Sequence, residues 1–123
     1  MEYKIYCDDA AKLINTIFSC FKKKYKDGNR VKIDPQRVEI ETWEYTTTDK
    51  DVEVLVHKTQ QWEDVGNIHL DASDDNDFVI ASFHYWKKWT KNHTKGNEEA
   101  YYLGRFTELI LVHFYPQIES VEV

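Results

Sequence analysis

The sequence predicts an α+β domain: a two-layer sandwich in which a mostly antiparallel sheet of about five to six strands carries two helices on one face. Three observations lead to this fold class. The length of 123 residues suits a single domain, taken as residues 1–123. Several short segments alternate apolar and polar residues, as half-buried strands do. Two longer segments carry apolar residues at helical spacing, one in each terminal third of the chain.

The first strand and the first helix are predicted at the N-terminus. Glu2–Cys7 alternates and predicts a short strand. Asp8 or Asp9 then suits the N-cap of a helix that runs to about Asp27, with Gly28 as its C-cap. The apolar stripe of this helix consists of Leu13, Ile14, Ile17, Phe18, Phe21 and Tyr25.

The middle of the chain predicts strands at Arg30–Ile33, Arg37–Tyr45, Asp51–His57 and Ile68–Ala72. Alternation assigns the β-branched and aliphatic positions to the helix-facing side: Val38, Ile40, Thr42, Val52, Val54, Val56, Ile68, Leu70 and Ala72. The opposite face is then predicted to carry Glu39, Glu41, Trp43, Glu53, Leu55, His57, His69 and Asp71. This face is polar, with aromatic and aliphatic side chains among its charges.

A hairpin at Asn67–Trp86 organises the predicted sheet. The polar stretch Ser73–Asp77 is rich in turn formers and joins Ile68–Ala72 to a strand at Phe78–Tyr85. The second of these strands is apolar on both faces, so the sequence leaves open which face meets the helices. An apolar strand of this kind is typical of the centre of a sheet.

The second helix is predicted to begin after Asn97, its N-cap, and to end before Pro116. Its apolar residues extend so far around the helix that we expect it to be covered on more than one side. Ile118–Val123 is the last predicted strand. Short connections between consecutive strands favour antiparallel pairing.

Composition limits the compartment and the partner. Cys7 and Cys20 are expected to be reduced, buried thiols. No apolar stretch is long enough to span a membrane, and the N-terminus lacks a basic segment followed by an apolar core, so we expect a cytoplasmic protein without membrane contact. The formal net charge of −6 argues against a nucleic acid partner, because phosphate backbones require a basic surface.

The acidic charge is concentrated in one part of the sequence. Residues 1–33 carry a formal charge of +4, residues 34–77 carry −10, and residues 78–123 are neutral. Because the acidic block alternates with valine and isoleucine, it is expected to fold into a negative surface. Such a surface steers a basic partner toward it.

Two further groups of residues predict alternative functions. His69 and Asp71, spaced to share one strand face, could bind a catalytic zinc, iron or manganese ion if His84 joins them. Trp86 and Trp89 lie among lysines, a mixture found in proteins that bind single-stranded nucleic acid. Asp71, Asp74, Asp75 and Asp77 lack the glycine and final glutamate of a calcium loop, and turn formation explains them better.

The favoured hypothesis is a small acidic binding protein that needs no cofactor and neutralises a basic macromolecule such as a nuclease toxin. A small, acidic, aromatic-rich chain without catalytic motifs has the profile of toxin-immunity proteins, antitoxins and phage-encoded inhibitors, and the similarity is one of profile alone. The predicted binding surface is the polar sheet face listed above, with Trp43 and Leu55 as anchors. The metal enzyme and the nucleic acid binder are the alternatives.

Overall fold

The computed structural model describes residues 2–22, 25–26, 29–30, 42–58, 62 and 64–122, with the backbone alone at 25–26 and 29–30. The strands are β1 (Glu2–Tyr6), β2 (Tyr25–Lys26), β3 (Asn29–Arg30), β4 (Trp43–Thr47), β5 (Glu53–His57), β6 (Gly66–Ala72), β7 (Phe78–Tyr85) and β8 (Ser120–Glu122). The helices are α1 (Ala10–Lys22), α2 (Lys87–Thr90), α3 (Glu98–His113) and a 3-10 helix at Tyr115–Gln117. The fold is α+β, as predicted.

A six-stranded sheet in the order β4-β5-β6-β7-β1-β8 forms one layer, and its neighbouring strands all pair antiparallel. The strand β7 lies inside the sheet between β6 and β1, as its two apolar faces predicted. β2 and β3 form a separate two-stranded pair. In β6, Ile68 and Leu70 are buried and Asp71 is exposed, so the predicted orientation of these three residues is confirmed.

The helices α1 and α3 pack on the same face of the sheet and form the second layer. Ring contacts join α1 to this face through Phe18 and Tyr45, and join α3 to it through Tyr102 and Phe83. The register places the core residues of the sheet on one side: Tyr3, Ile5, Trp43, Leu55, Ile68, Leu70, Val79, Ala81 and Phe83. We call this side the helix face and the other side the open face.

The N-terminus of α1 is fixed by the turn between β6 and β7. The Asp9 carboxylate accepts the Lys12 N–H at 3.1 Å, which confirms the predicted N-cap. The side-chain oxygen of Asn76 accepts the Ala11 N–H at 2.8 Å, and its amide donates to Asp9 at 2.8 Å. Asn76 adopts φ of 59°, a left-handed conformation that asparagine tolerates well. The turn therefore provides the cap that holds α1 against the sheet.

Helix α1 is shorter than predicted. It ends at Lys22, and the backbone of Tyr25–Lys26 pairs with that of Asn29–Arg30 instead of continuing the helix to Asp27. Phe21 is the last core residue that the helix contributes. In a longer helix Lys22 and Lys26 would lie four residues apart, where like charges repel each other. The proposed cap Gly28, the strand segment 31–33 and residues 37–41 of the next predicted strand lie outside the described residues.

Helix α3 is covered on one side by the described residues, whereas the sequence predicted cover on more than one side. Its buried side chains are Tyr102, Leu103, Phe106, Leu109 and Ile110. On its outer side Leu111 and Val112 are 42% and 56% exposed. In a fold of two layers a helix has only the sheet beneath it, so its outer apolar residues remain at the surface.

A buried tyrosine hydroxyl joins α3 to the sheet where β5 and β6 separate. Leu55 pairs with Ile68, and the same register would place His57 opposite Gly66. The Tyr102 hydroxyl instead lies between the backbones of His57 and Gly66. It accepts the His57 N–H at 2.6 Å and donates to the Gly66 carbonyl at 2.9 Å. Burial raises the pKa of this hydroxyl, so it remains a donor.

Gly66 lies at the same junction, against the Phe83 ring. A Cβ atom at this position would lie 2.5 Å from the carbonyl oxygen of His84 and closer still to the ring of Phe83. Because Phe83 is itself packed against Tyr102, the ring has little room to move. The absence of a side chain at residue 66 is therefore a packing requirement.

We expect Tyr102→Phe to reduce the free energy of unfolding by about 1–3 kcal/mol, because it leaves a buried N–H and a buried C=O without their shared partner. Urea unfolding followed by circular dichroism measures the change. Tyr101→Phe is the control, since the Tyr101 hydroxyl contacts Arg105 at the surface. Equal stability of the two variants would contradict the structural importance of the bridge.

We expect Gly66→Ala and Gly104→Ala to change stability in opposite directions. The first should cost about 1–3 kcal/mol, because a methyl group overpacks the contact with Phe83. The second should stabilise by about 0.5–1 kcal/mol, because Gly104 lies inside α3 and a Cβ there meets no atom within 4 Å. Thermal and urea unfolding of both variants test this, and a destabilised Gly104→Ala together with an unaffected Gly66→Ala would refute it.

Candidate partner-binding surface

The predicted binding face does not exist as one surface. Trp43, Leu55 and His57 were predicted to face outward, and this orientation is wrong, because they are 1%, 0% and 6% exposed on the helix face. Trp43 makes edge contacts with the rings of His57 and Tyr102. Glu39 and Glu41 lie outside the described residues.

The alternation of residue types in β5 led to a wrong prediction of which side chains face the helices, because the strand is buried on both sides. Val54, Leu55, Val56 and His57 are all buried, so alternation distinguishes no solvent face. Leu55 and His57 lie on the helix face, where the His57 ring contacts the Tyr102 ring of α3.

Glu53 lies on the helix face at its margin, and its charge is already paired. The Lys22 ammonium lies 2.8 Å from its carboxylate, and the Tyr45 hydroxyl donates to the same oxygen at 2.8 Å. These contacts, that with Lys22 first, lower the pKa of Glu53. Glu53 thus tethers the end of α1 to the sheet and does not share a face with His69 and Asp71.

His69, Asp71 and His84 all lie on the open face. The rings of His69 and His84 lie 4.0 Å apart between centroids, and His84 Nε2 lies 3.1 Å from the Ser82 hydroxyl. Burial, and then the neighbouring His84, lower the pKa of His69. Within the described part of the chain, however, no three or more His, Cys, Asp or Glu side chains form a group that could hold a metal ion.

The exposed carboxylates gather at one end of the sheet. The 48–52 turn and the 73–77 turn lie at the same end, because β5 and β6 are antiparallel with Leu55 opposite Ile68. The end of β1 and the start of α1 join them, since the Cys7 N–H donates to the Asp77 carbonyl. We call this region the acidic end. Its exposed carboxylates are Asp8, Asp9, Asp49, Asp51, Asp71, Asp74, Asp75, Asp77 and Glu119.

Positive charge offsets only part of the acidic end. Lys4, Lys12 and Lys50 belong to the same segments of the described chain as these nine carboxylates, so the formal charge of the group is −6. Two of its carboxylates, Asp8 and Glu119, interact with each other. Asp8 raises the pKa of Glu119, because its carboxylate accepts a hydrogen bond from protonated Glu119 and repels the ionised form.

A pair of half-buried aromatic rings lies beside these carboxylates. Tyr6 and Phe78 are cross-strand partners on the open face, with ring centroids 5.4 Å apart. The Lys4 ammonium lies 5.2 Å from the centroid of Phe78. The acidic end thus combines an apolar contact area with a charged rim.

The opposite end of the sheet carries lysines and a column of stacked rings. Tyr85 stacks on Trp89 with centroids 5.3 Å apart, and Trp89 stacks on His93 at 4.6 Å with the ring planes 4° apart. The column and its exposed lysines form the basic aromatic surface: Tyr85, Trp89, His93, Lys87, Lys88, Lys91 and Lys95. Trp86, half-buried, precedes α2, and its N–H donates to the Val65 carbonyl.

Sequence reasoning predicted a negative surface from residues 34–77, which hold six of the nine carboxylates of the acidic end, but it did not place that surface at the end of the sheet. Of its nine carboxylates only Asp71 was among the predicted binding residues, and the aspartates of the 73–77 turn were interpreted as turn formers alone. Hairpin geometry contained a usable signal, because alternate turns of an antiparallel sheet lie at one end. Grouping acidic residues by turn would have placed residues 49, 51, 74, 75 and 77 together.

Comparison of the chain with models of protein families, with curated proteins and with solved structures finds no match. None of the described helices is long and apolar enough to cross a membrane. Cys7 and Cys20 are thiols and do not form a disulfide.

We expect His57 to make the protein less stable in acid. Burial, and then the charge of Arg105, lower its pKa from 6.5 to about 4. Between these two pH values His57 binds a proton in the unfolded chain but not in the folded chain. The free energy of unfolding therefore falls as the pH drops from about 6.5 toward 4. At pH 4.5 the loss attributable to His57 should be about 2–3 kcal/mol relative to pH 7.5.

Urea unfolding of the wild type and of His57→Gln at both pH values measures this contribution. The variant cannot titrate at residue 57, so its stability should change less between the two pH values. His93→Gln is the control, because His93 is exposed. If His57→Gln loses as much stability in acid as the wild type does, the assigned role of His57 is wrong.

Proposed function

We propose that this protein is a small binding protein that neutralises a basic macromolecular partner, in the manner of toxin-immunity proteins, antitoxins or phage-encoded inhibitors. The acidic end is the surface through which it binds. The observation that carries the proposal is the aromatic pair Tyr6–Phe78 bordered by exposed carboxylates. The binding surface is thus moved from the predicted sheet face to the end of the sheet, and Asp71 belongs to both.

Charge supports the proposal through the rate of association. A formal charge of −6 within one end of a small domain attracts a basic surface over a distance of about one Debye length, about 8 Å in physiological salt. Attraction of this kind raises association rates and disfavours acidic competitors. A basic partner would also relieve the repulsion between Asp8 and Glu119.

The aromatic pair supports the proposal through the lifetime of the complex. Charged rims contribute little affinity without a desolvated anchor. Phe78 and Tyr6 present ring surface that is only half-buried, and Phe78 already attracts the Lys4 ammonium. An arginine of the partner could replace that ammonium over the ring and still reach the neighbouring carboxylates.

Hydrogen bonds within the turns hold the carboxylates in place before binding. The Ser73 hydroxyl donates to Asp77 at 2.8 Å and accepts the Asp77 N–H at 3.1 Å. The Thr48 hydroxyl accepts the Val52 N–H at 3.2 Å in the other turn. Because these turns are already ordered, little conformational entropy would be lost on binding.

We expect the double variant Asp74→Lys/Asp75→Lys to associate with its partner about ten-fold more slowly or worse. The partner is first captured from the native host on immobilised wild-type protein, and its association is then measured at several salt concentrations. The wild-type rate should fall steeply as salt rises. The fold should be retained, because exposed charges contribute little to stability.

Asp64→Lys/Glu108→Lys is the matched control, with the same change of charge on exposed residues away from the acidic end. Phe78→Ala should instead speed dissociation, at a cost of about 2 kcal/mol if the ring is an anchor. The proposal fails if the captured partner binds the Asp74→Lys/Asp75→Lys variant at the wild-type rate, or if association does not depend on salt.

A further inference from the structure

The basic aromatic surface has a regular construction. Tyr85 is the last residue of β7, Trp89 lies in α2 and His93 lies just after it, and the rings of these three residues stack into one column. The His93 ring is held in the column by a hydrogen bond of 2.9 Å between its Nδ1 and the Trp89 carbonyl. The rings therefore have a fixed orientation.

The column ends at the surface. Tyr85 and Trp89 pack against the hydrophobic core, whereas His93 is exposed. Trp89 has a ring on each face, so a further planar group can extend the column only beyond His93. Among the ring contacts of the described residues, His93 contacts Trp89 and no second ring. An exposed ring at the end of an ordered stack is a suitable platform for a nucleic acid base.

Exposed lysines accompany the column along the chain. Four exposed lysines lie within nine residues, and the Lys95 ammonium lies 5.1 Å from the centroid of the Tyr85 ring. Carboxylates border the column at Tyr85: Glu98 accepts hydrogen bonds from the Tyr85 hydroxyl and the Gly96 N–H at the start of α3, and the charge of Glu99 also acts on Tyr85. The positive side of the column is that of α2.

The overall acidity of the chain does not oppose a phosphate backbone at this surface. The net charge of −6 would repel nucleic acid if it were spread evenly, but the carboxylates of the acidic end lie at the other end of β7. The eight residues of β7, at about 3.3 Å each, separate the two ends by roughly 25 Å. That separation is about three Debye lengths in physiological salt.

We propose that the basic aromatic surface is a second binding site, which takes single-stranded nucleic acid with one base stacked on His93 and the backbone along the lysines. A single strand fits this site better than a duplex, because the bases of a duplex are already stacked on one another. The inference does not depend on the function proposed for the acidic end.

The test is fluorescence anisotropy of a labelled single-stranded oligothymidylate of about 12 nucleotides, titrated with the full chain. We expect binding that weakens with salt with a log–log slope of about −2 to −3, as three or four phosphate contacts require. His93→Ala should weaken binding about 5-fold or more, and His93→Phe should retain it, because phenylalanine preserves the stacking face. Circular dichroism confirms that each variant is folded.

Variants with equal changes of charge distinguish binding at this site from nonspecific attraction of the oligonucleotide to lysines elsewhere on the protein. Lys88→Gln/Lys91→Gln should weaken binding and lower the salt slope, whereas Lys12→Gln/Lys50→Gln, at the acidic end, should not. Asp74→Lys/Asp75→Lys should leave His93-dependent binding intact, which distinguishes failure here from failure of the proposed function. The proposal is overturned if no binding occurs, if a duplex or inorganic polyphosphate binds equally well, or if His93→Ala binds like the wild type.

Discussion

The hydroxyl group of Tyr102 is the interaction on which the arrangement of the two layers depends. It takes the place of a direct hydrogen bond between β5 and β6, accepting from His57 and donating to Gly66. Since it is carried by α3, the same two bonds fix the position of the helix on the sheet. The surrounding rings of Trp43, Phe83 and Phe106 complete the packing and exclude water. In this environment an unpaired backbone group would be costly, so the bridge and the aromatic cluster stabilise each other.

Concentrating the large rings at one end of the sheet leaves the other end to turns and helix caps. There the chain needs polar residues: Asp9 caps α1, Asn76 joins the cap to the hairpin, and Ser73 closes the turn. Part of the difference in chemistry between the two ends therefore has a structural cause. Because β7 holds them roughly 25 Å apart, charges at one end have little influence on ligands at the other in physiological salt. A single small domain can in this way present an acidic surface and a basic aromatic surface without either one cancelling the other.

The parts of the fold that could be predicted from the sequence are those where one periodicity is clear. The strands β6 and β7, the N-cap Asp9 and the helix that begins after Asn97 were all recognised, because alternation, capping and helical spacing are local signals. The sequence did not show which faces of β4 and β5 meet the helices, and Trp43, Leu55 and His57 were wrongly predicted to face solvent. In β5 both faces are buried, so the alternation of residue types does not show which face meets the helices. The assignment depended on Tyr102, which is 45 residues from His57 in the sequence and which no local pattern connects to it.

The acidic end could not be derived from composition alone, because its carboxylates come from four separate segments that antiparallel pairing brings to one end of the sheet. Their number exceeds what the turns need. Ser73, Asn76 and Thr48 already provide the hydrogen bonds that close the turns, so Asp74 and Asp75 could be neutral residues without loss of structure. Asp8 raises the pKa of Glu119 through a hydrogen bond and through charge repulsion, so these carboxylates interact with one another. Local features that folding does not require are expected at functional surfaces. This excess of negative charge beside a half-buried aromatic pair is the feature from which we propose a basic partner for the acidic end.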